Sequence, residues 1–364
     1  MTSEERSSRQ RKRIGRRIRQ IRLPRYGLPV SLVAIALVAG AYLMWRSPSM
    51  LPEANIPVRF FQIATGSTAG TYYPVGEIIA TVITEPLGGE PCTEEGRCGV
   101  PGLLAVVKSS QGSIANVQNV SAGTYDAALA QADVASWAVH GDGIFAGEPP
   151  LDDLRAIAGL YPEAVHLVAA RNGAIASVAD LAGKRVSVDR PGSGTRADAM
   201  LILRAFGLSE ADLDLVEEGP SAAVDLMAAG SIDAFFIVAG TPAAAVSELI
   251  SRDVATLVPI EGPAVETLRR ENRFFVDHEI AADVYPGIGP TATLSVNALL
   301  LTSADEEADL IHAITAALWR PGNRSLLDQG HAKSREIRLE TALDGVSIPF
   351  HAGAERFYRA AGMM

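Results

Sequence analysis

The sequence predicts an α/β protein of two lobes behind an N-terminal membrane segment. Three observations lead there. A strand, a small polar loop and a helix follow one another five times. The chain has 364 residues, 48% of them apolar. One run near the N-terminus carries no charge. With 32 Lys plus Arg against 42 Asp plus Glu, the chain is too apolar and too balanced for disorder. It is also too long for one small core, so two lobes are the default.

Leu28 to Trp45 is an 18-residue uncharged run, LPVSLVAIALVAGAYLMW. At 1.5 Å per residue it spans roughly 27 Å, close to a bilayer core. Ten basic residues precede it and only Arg46 follows closely. The positive-inside rule then keeps the tail in the cytoplasm and sends the remainder across. Residues 1–46 read as a basic tail with an anchor or uncleaved signal through the inner membrane. Ala39-Gly40-Ala41 has the small-residue pattern of a cleavage site, so both fates stay open. Residues 47–57, with three prolines, read as a linker. The part beyond residue 46 carries a net charge of −19, which makes it a poor partner for a phosphate backbone and excludes nucleic acid.

Each of the five units switches from a period of 2 to one of 3.6 at its junction. Val58–Ile63 leads through Thr65-Gly66-Ser67 to a helix with Val75, Ile78, Ile79 and Val82 on one face. Leu103–Val107 leads through Ser109 to Gly112 into a helix with Ile114 and Val117. Tyr125–Leu129 leads through Gln131-Ala132-Asp133 to Val134–Trp137. Arg185–Val188 leads through Pro191 to Thr195 into Ala197, Met200 and Leu201, and Ala234–Val238 through Gly240-Thr241-Pro242 into Ala243–Leu249. Such alternation predicts parallel sheets with ligands beyond the carboxyl ends of the strands. Two long β-rich runs, Leu154–Arg171 and Thr293–Leu301, are expected to pass between the lobes. Lobe I is expected at 58–165 and 260–364, lobe II at 166–259.

The chemistry points to binding rather than turnover. There is no G-x-S-x-G elbow, phosphate-binding G-x-x-x-x-G-K-[ST] or H-E-x-x-H. His166 sits in an apolar run and reads as a core or rim residue. Asp133 and Glu77 read as first-turn dipole partners. Gly192-Ser193-Gly194-Thr195-Arg196-Ala197 fits G-x-G-x-x-A, but the acidic residues that should follow, Glu217 and Glu218, lie late. No cofactor and no metal are expected, since the six histidines show no ligand spacing. The two cysteines, Cys92 and Cys98, flank a short polar loop in a chain predicted to be exported, which favours a local disulfide.

Several blocks in one order resemble the TAXI-type solute-binding proteins of tripartite ATP-independent periplasmic (TRAP) transporters. They are ATGSTAGTYYPVGEIIA (64–80), SSQGSIANVQNVSAGTYDAALAQADVA (109–135), LRAIAGLYPEAVHLVAA (154–170), DLAGKRVSVDRPGSGTRADA (180–199) and GSIDAFFIVAGTPAAAV (230–246). YPG (285–287) and IPFHAGAERFYRAAG (348–362) also fit. The family usually has Gly in place of Ala69 and Pro in place of Ala352. The resemblance implies a type II periplasmic-binding-protein fold and a small organic anion as ligand, such as a dicarboxylate or glutamate. It also implies a membrane permease partner driven by an ion gradient. A membrane-anchored sensor of the same fold is the alternative.

The expected ligand residues form two walls. Thr65, Ser67, Thr68 and Tyr72 make the first, with Ser110, Gln111, Ser113, Asn116 and Gln131 beside them. Ser193, Gly194, Thr195, Arg196 and Thr241 make the second. Helix N-termini supply N–H groups there, Gly allows close approach and Ser or Thr adds a hydroxyl. Arg196 is the expected carboxylate partner, because a cation at a helix N-terminus is unfavourable without an anion near it.

Overall fold

A computed structural model describes residues 35, 37–38, 58–85, 96 and 98–364. The predicted membrane run at 28–45 lies outside the described residues, apart from the helical, exposed Ile35, Leu37 and Val38. The rest of the 1–46 segment, the 47–57 linker and Cys92 lie outside them as well. Among the described residues no helix is long and apolar enough to cross a membrane, and no cysteine is free. Ile56–Met364 forms one compact unit.

Each expected strand and helix forms where its period places it. Strand β1 (Arg59–Ala64) buries Phe61 and Ile63 and leads to α1 (Tyr72–Ile83), which buries Val75, Ile79 and Val82. The short β2 (Thr84–Glu85) and β3 (Val100–Pro101) pair with each other. Then come β4 (Leu103–Lys108), α2 (Ser113–Ser121), β5 (Ala127–Gln131) and α3 (Ala132–His140). Strand β6 (Leu154–Ala170) runs 17 residues without a break. It is followed by β7 (Arg185–Ser187), α4 (Gly194–Ala205), β8 (Asp214–Val216), α5 (Pro220–Ala228), β9 (Ala234–Ala239) and α6 (Ala244–Ser251). The remainder holds β10 (Ala255–Val258), α7 (Pro263–Glu271), β11 (Val276–Ile280), β12 (Thr291–Ser303), α8 (Ala308–Trp319), α9 (Arg324–Gln329) and α10 (Ala352–Ala360).

The sheet is mixed rather than wholly parallel. Its order is β4-β1-β5-β12-β6-β9-β7-β8, with β10 on β6 and β11 on β12. The pairs β1–β4, β1–β5, β7–β8 and β7–β9 are parallel, as the alternation predicts. The two long strands join these groups antiparallel: β12 pairs with β5 and β6, and β6 pairs with β9. Pro162 lies inside β6 opposite Asn297. Proline lacks the N–H that a ladder needs, and the β6–β12 register shifts nearby, between Ala298 and Leu299.

Helices cover both faces of the sheet, and the apolar residues form four clusters. Two lie on the β1–β4–β5 half, one under α1 and α8 and one under α2 and α3. Two lie on the β6–β7–β9 half, one under α4 and α7 and one under α5 and α6. Residues beyond the expected boundary at 260 still pack with the second half of the sheet. Val265, Leu268 and Phe275 belong to one cluster of the second half, and Tyr285 and Ile288 to the other. The chain returns to the first half only along β12.

Candidate ligand-binding site

The carboxyl ends of β1, β4, β5, β7, β8 and β9 surround a cavity of about 290 Å³. The N-termini of α1, α2, α4 and α5 open onto it, through Thr71-Tyr72, Gly112-Ser113, Gly194-Thr195 and Pro220-Ser221. Each brings unpaired N–H groups and a partial positive charge. Helix and strand geometry therefore deliver donors to one place from both halves of the sheet.

Local hydrogen bonds fix the loops. Ser110 Oγ donates to the Thr65 carbonyl (2.9 Å) and accepts from Gly112 N–H (3.1 Å). Ser113 Oγ donates to Gln131 Oε1 (3.2 Å), and Gln131 Nε2 donates to Asp198 Oδ2 (2.6 Å). Ser193 caps α4 by accepting from Thr195 N–H (3.1 Å) and donates to Asp189 Oδ2 (2.7 Å). Asp189 sits at φ 72°, a left-handed turn that Asp tolerates better than most residues. Thr195 Oγ1 accepts from Val238 N–H (3.0 Å), tying α4 to β9.

The two halves touch at the cavity. Ala115 N–H donates to the Gly192 carbonyl (3.0 Å). A Cβ on Gly112, at φ 120°, would lie 3.3 Å from Ser193 Cα, and one on Gly194 would lie 1.4 Å from Gln131 Oε1. Side chains at these two positions would push the loops apart.

Ten of the expected ligand residues line the cavity: Ser67, Thr68, Tyr72, Ser110, Gln111, Ser113, Gln131, Ser193, Gly194 and Thr195. Four do not. Thr65 is fully buried and donates to the Lys108 carbonyl (2.8 Å), closing the β1–β4 end. Asn116 is equally buried, and its amide donates to the Thr65 and Leu129 carbonyls (2.6 and 2.7 Å). Thr241 lies past the cavity, because Ile237 and Val238 of β9 already form that wall; it precedes Pro242 in a cis bond. Arg196 points away and pairs with Glu217 (2.7 Å) and Glu210 (3.4 Å).

Three ionisable residues that the motifs missed do line the cavity. Arg190, half exposed, pairs with Glu218 at 3.1 Å. Asp189 is pushed up by burial, against the hydrogen bonds from Ser193 and Arg190 N–H. Glu163, on β6, is 1% exposed and accepts from Tyr72 Oη at 2.6 Å. Burial raises its carboxyl to about 8. His166 is a core residue, as read from the sequence. Its Nε2 meets Tyr285 Oη at 2.9 Å, and burial lowers it to about 4. Asp133 stands in the first turn of α3, where the sequence places it, and is wholly buried there.

The sequence matches the NMT1-like family over residues 63–362. Among solved structures it is similar to the alkanesulfonate-binding protein SsuA of Xanthomonas axonopodis pv. citri bound to MOPS. That match has 18% identity and a TM-score of 0.42 and covers 75% of this chain and 79% of that one. It is similar to the periplasmic aliphatic sulphonate-binding protein SsuA of Escherichia coli, with 15% identity, 84% and 78% coverage and a TM-score of 0.42. A putative phosphate ABC transporter substrate-binding protein of Clostridium perfringens, with bound phosphate, matches at 14% identity, 77% and 100% coverage and a TM-score of 0.44.

Proposed function

The chain belongs to the NMT1-like family, and from that premise we propose that it is an extracytoplasmic solute-binding receptor of a TRAP transporter. It holds a small organic anion between two lobes and hands it to a membrane permease without transforming it. The observation that carries this reading is the cavity, where hydroxyls, glycine loops and four helix N-termini meet. Helix N-termini favour anions, and Arg190 adds a full charge at the rim. The net charge of −19 beyond residue 46 does not oppose this, since salt screens exposed charges beyond roughly 8 Å.

In this proposal the lobes meet at β6 and β12, which run through both halves and act as hinges. Residues 28–45 would hold the protein at the periplasmic face of the inner membrane. Cys92 and Cys98 would close a short loop, a pairing that non-reducing peptide mapping would detect. The order of the sequence blocks supports the TAXI branch.

The test is a thermal-shift screen of organic acids on residues 47–364, followed by calorimetry. Ligand recovered unchanged after incubation, with a raised Tm and a single binding site, is the expected outcome. Conversion of the ligand would make the protein an enzyme instead. No stabilisation by any organic acid would end the reading.

A further inference from the structure

Resting on the reading of the cavity as an anion site, we propose that Glu163 is its specificity-determining acid. Glu163 meets the solute as a neutral carboxyl and donates its proton to an anionic oxygen, so that this point of the cavity takes a carboxylate rather than an ammonium group.

The geometry is specific. Glu163 lies on the central strand and lines the cavity at its floor, with 1% of its surface exposed. Tyr72 Oη donates to Oε2, leaving Oε1 as the edge that meets a solute. One cation among the described residues acts on Glu163: Lys333, whose charge holds the carboxyl down only in part. Lys333 is buried and gives its Nζ to Glu336 at 3.0 and 3.1 Å, so it makes no ion pair with Glu163. The other ionisable groups around Glu163 are acids. Tyr72 faces it from α1, Tyr161 from the same strand and Asp133 from α3, while Asp198 stands behind on α4. Across the cavity stand Asp189, held by Ser193, and Arg190, held by Glu218.

An ionised Glu163 would compete with an anion for the same four helix ends. An ammonium group placed against it would sit at the positive ends of those helices. The neutral carboxyl removes both conflicts and supplies one more donor. Burial, which raises Glu163 to about 8, acts in the same direction.

The experiment uses the full-length protein and two probes, glutarate and L-glutamate, which differ by one ammonium group. Affinities are measured by calorimetry from pH 6.5 to 9. For the wild type, glutarate affinity falls by up to about tenfold per pH unit above pH 8. Glu163→Gln keeps a neutral donor, so the slope disappears. The variant-to-wild-type affinity ratio then rises about tenfold from pH 7 to pH 9. Tyr72→Phe gives an independent readout. The Tyr72 hydrogen bond holds Glu163 down, so its loss moves the pH at which affinity falls upward.

An unmoved midpoint in Tyr72→Phe overturns the proposal. So does a Glu163→Gln protein that keeps its fold but no longer binds at pH 7, or L-glutamate binding that tightens with pH and releases a proton. If the wild type binds neither probe, this inference is overturned, whereas the anion reading itself falls only if no organic acid of the wider screen binds. That failure lies in the wild type and is distinct from one confined to the variants.

Discussion

At the scale of single residues, the most informative group is one that the motifs did not pick out. Glu163 stands in the run LRAIAGLYPEAVHLVAA, where it looks like an interruption of a strand. A buried acid needs a partner or must stay neutral, and here Tyr72 and a raised proton affinity supply both. The folded-state value of about 8 lies above the ordinary 4.5, so the folded chain holds this proton more tightly than the unfolded chain. The stability it contributes is fully present below pH 4.5 and is lost as pH rises toward 8, at up to roughly 1.4 kcal/mol per pH unit. Glu163→Gln has nothing to lose over that window. Its Tm should match that of the wild type near pH 4 and exceed it by a growing margin up to pH 8, as thermal denaturation followed by circular dichroism would record. A constant gap would mean that Glu163 does not titrate there. Arg196 teaches the converse. Two residues past Gly194, at about 100° per residue, it lies roughly 200° round the helix from the cavity, and Glu217 and Glu210 satisfy it. Arg196→Ala should leave ligand affinity unchanged. Arg190→Ala should weaken it roughly fivefold, about 1 kcal/mol, a modest loss because Arg190 is exposed and shared with Glu218.

At the scale of elements, the sequence is legible where structure is local. Four of the five strand–helix units are readable because apolar alternation stops at Gly and Ser loops, and β1, β4 and β9 end where those loops begin; β5 instead runs straight into α3 at Gln131-Ala132. Helix α5 escaped, since its preceding strand β8 has only three residues and its cap is Gly219-Pro220. The antiparallel joins of β6 and β12 escaped as well, because strand pairing across 130 residues leaves no trace in a local period. Caps are local again, so their cost is predictable. Ser193→Ala removes the acceptor for Thr195 N–H and the donor to Asp189. It should lower stability by about 1 kcal/mol, read from urea denaturation, and weaken ligand binding through the loosened 189–195 loop. Gly353 tests packing away from the cavity. A Cβ there would fall 2.3 Å from the Ala308 carbonyl oxygen, so Gly353→Ala must push α10 off α8. The expected loss is roughly 1–3 kcal/mol with ligand affinity retained.

At the scale of the whole molecule, the cavity exists because residues from both halves of one sheet close over it. Gly112 lies against Ser193, Gly194 against Gln131, and Thr71 Oγ1 donates to the Gly240 carbonyl at 2.9 Å. Gln131 also donates to Asp198 at 2.6 Å, and Ala197 of α4 packs in the cluster under α2 and α3; in the proposed receptor, opening at β6 and β12 would break these contacts and leave the remaining core of each half in place. A ligand shifts such an equilibrium only by its greater affinity for the closed arrangement. Because the donors of α1, α2, α4 and α5 are divided between the halves, only closure presents them all to one solute. Small-angle scattering should therefore show a smaller radius of gyration with bound ligand than without. Gly112→Val should blunt that change, since its side chain would meet Ser193 Cα and its backbone would be strained at φ 120°. The variant should keep a cooperative melt, because the apolar clusters are untouched, and bind at least tenfold more weakly. That loss corresponds to about 1.4 kcal/mol of closed-state stabilisation. Equal compaction in wild type and variant would show that the Gly112–Ser193 contact does not govern closure.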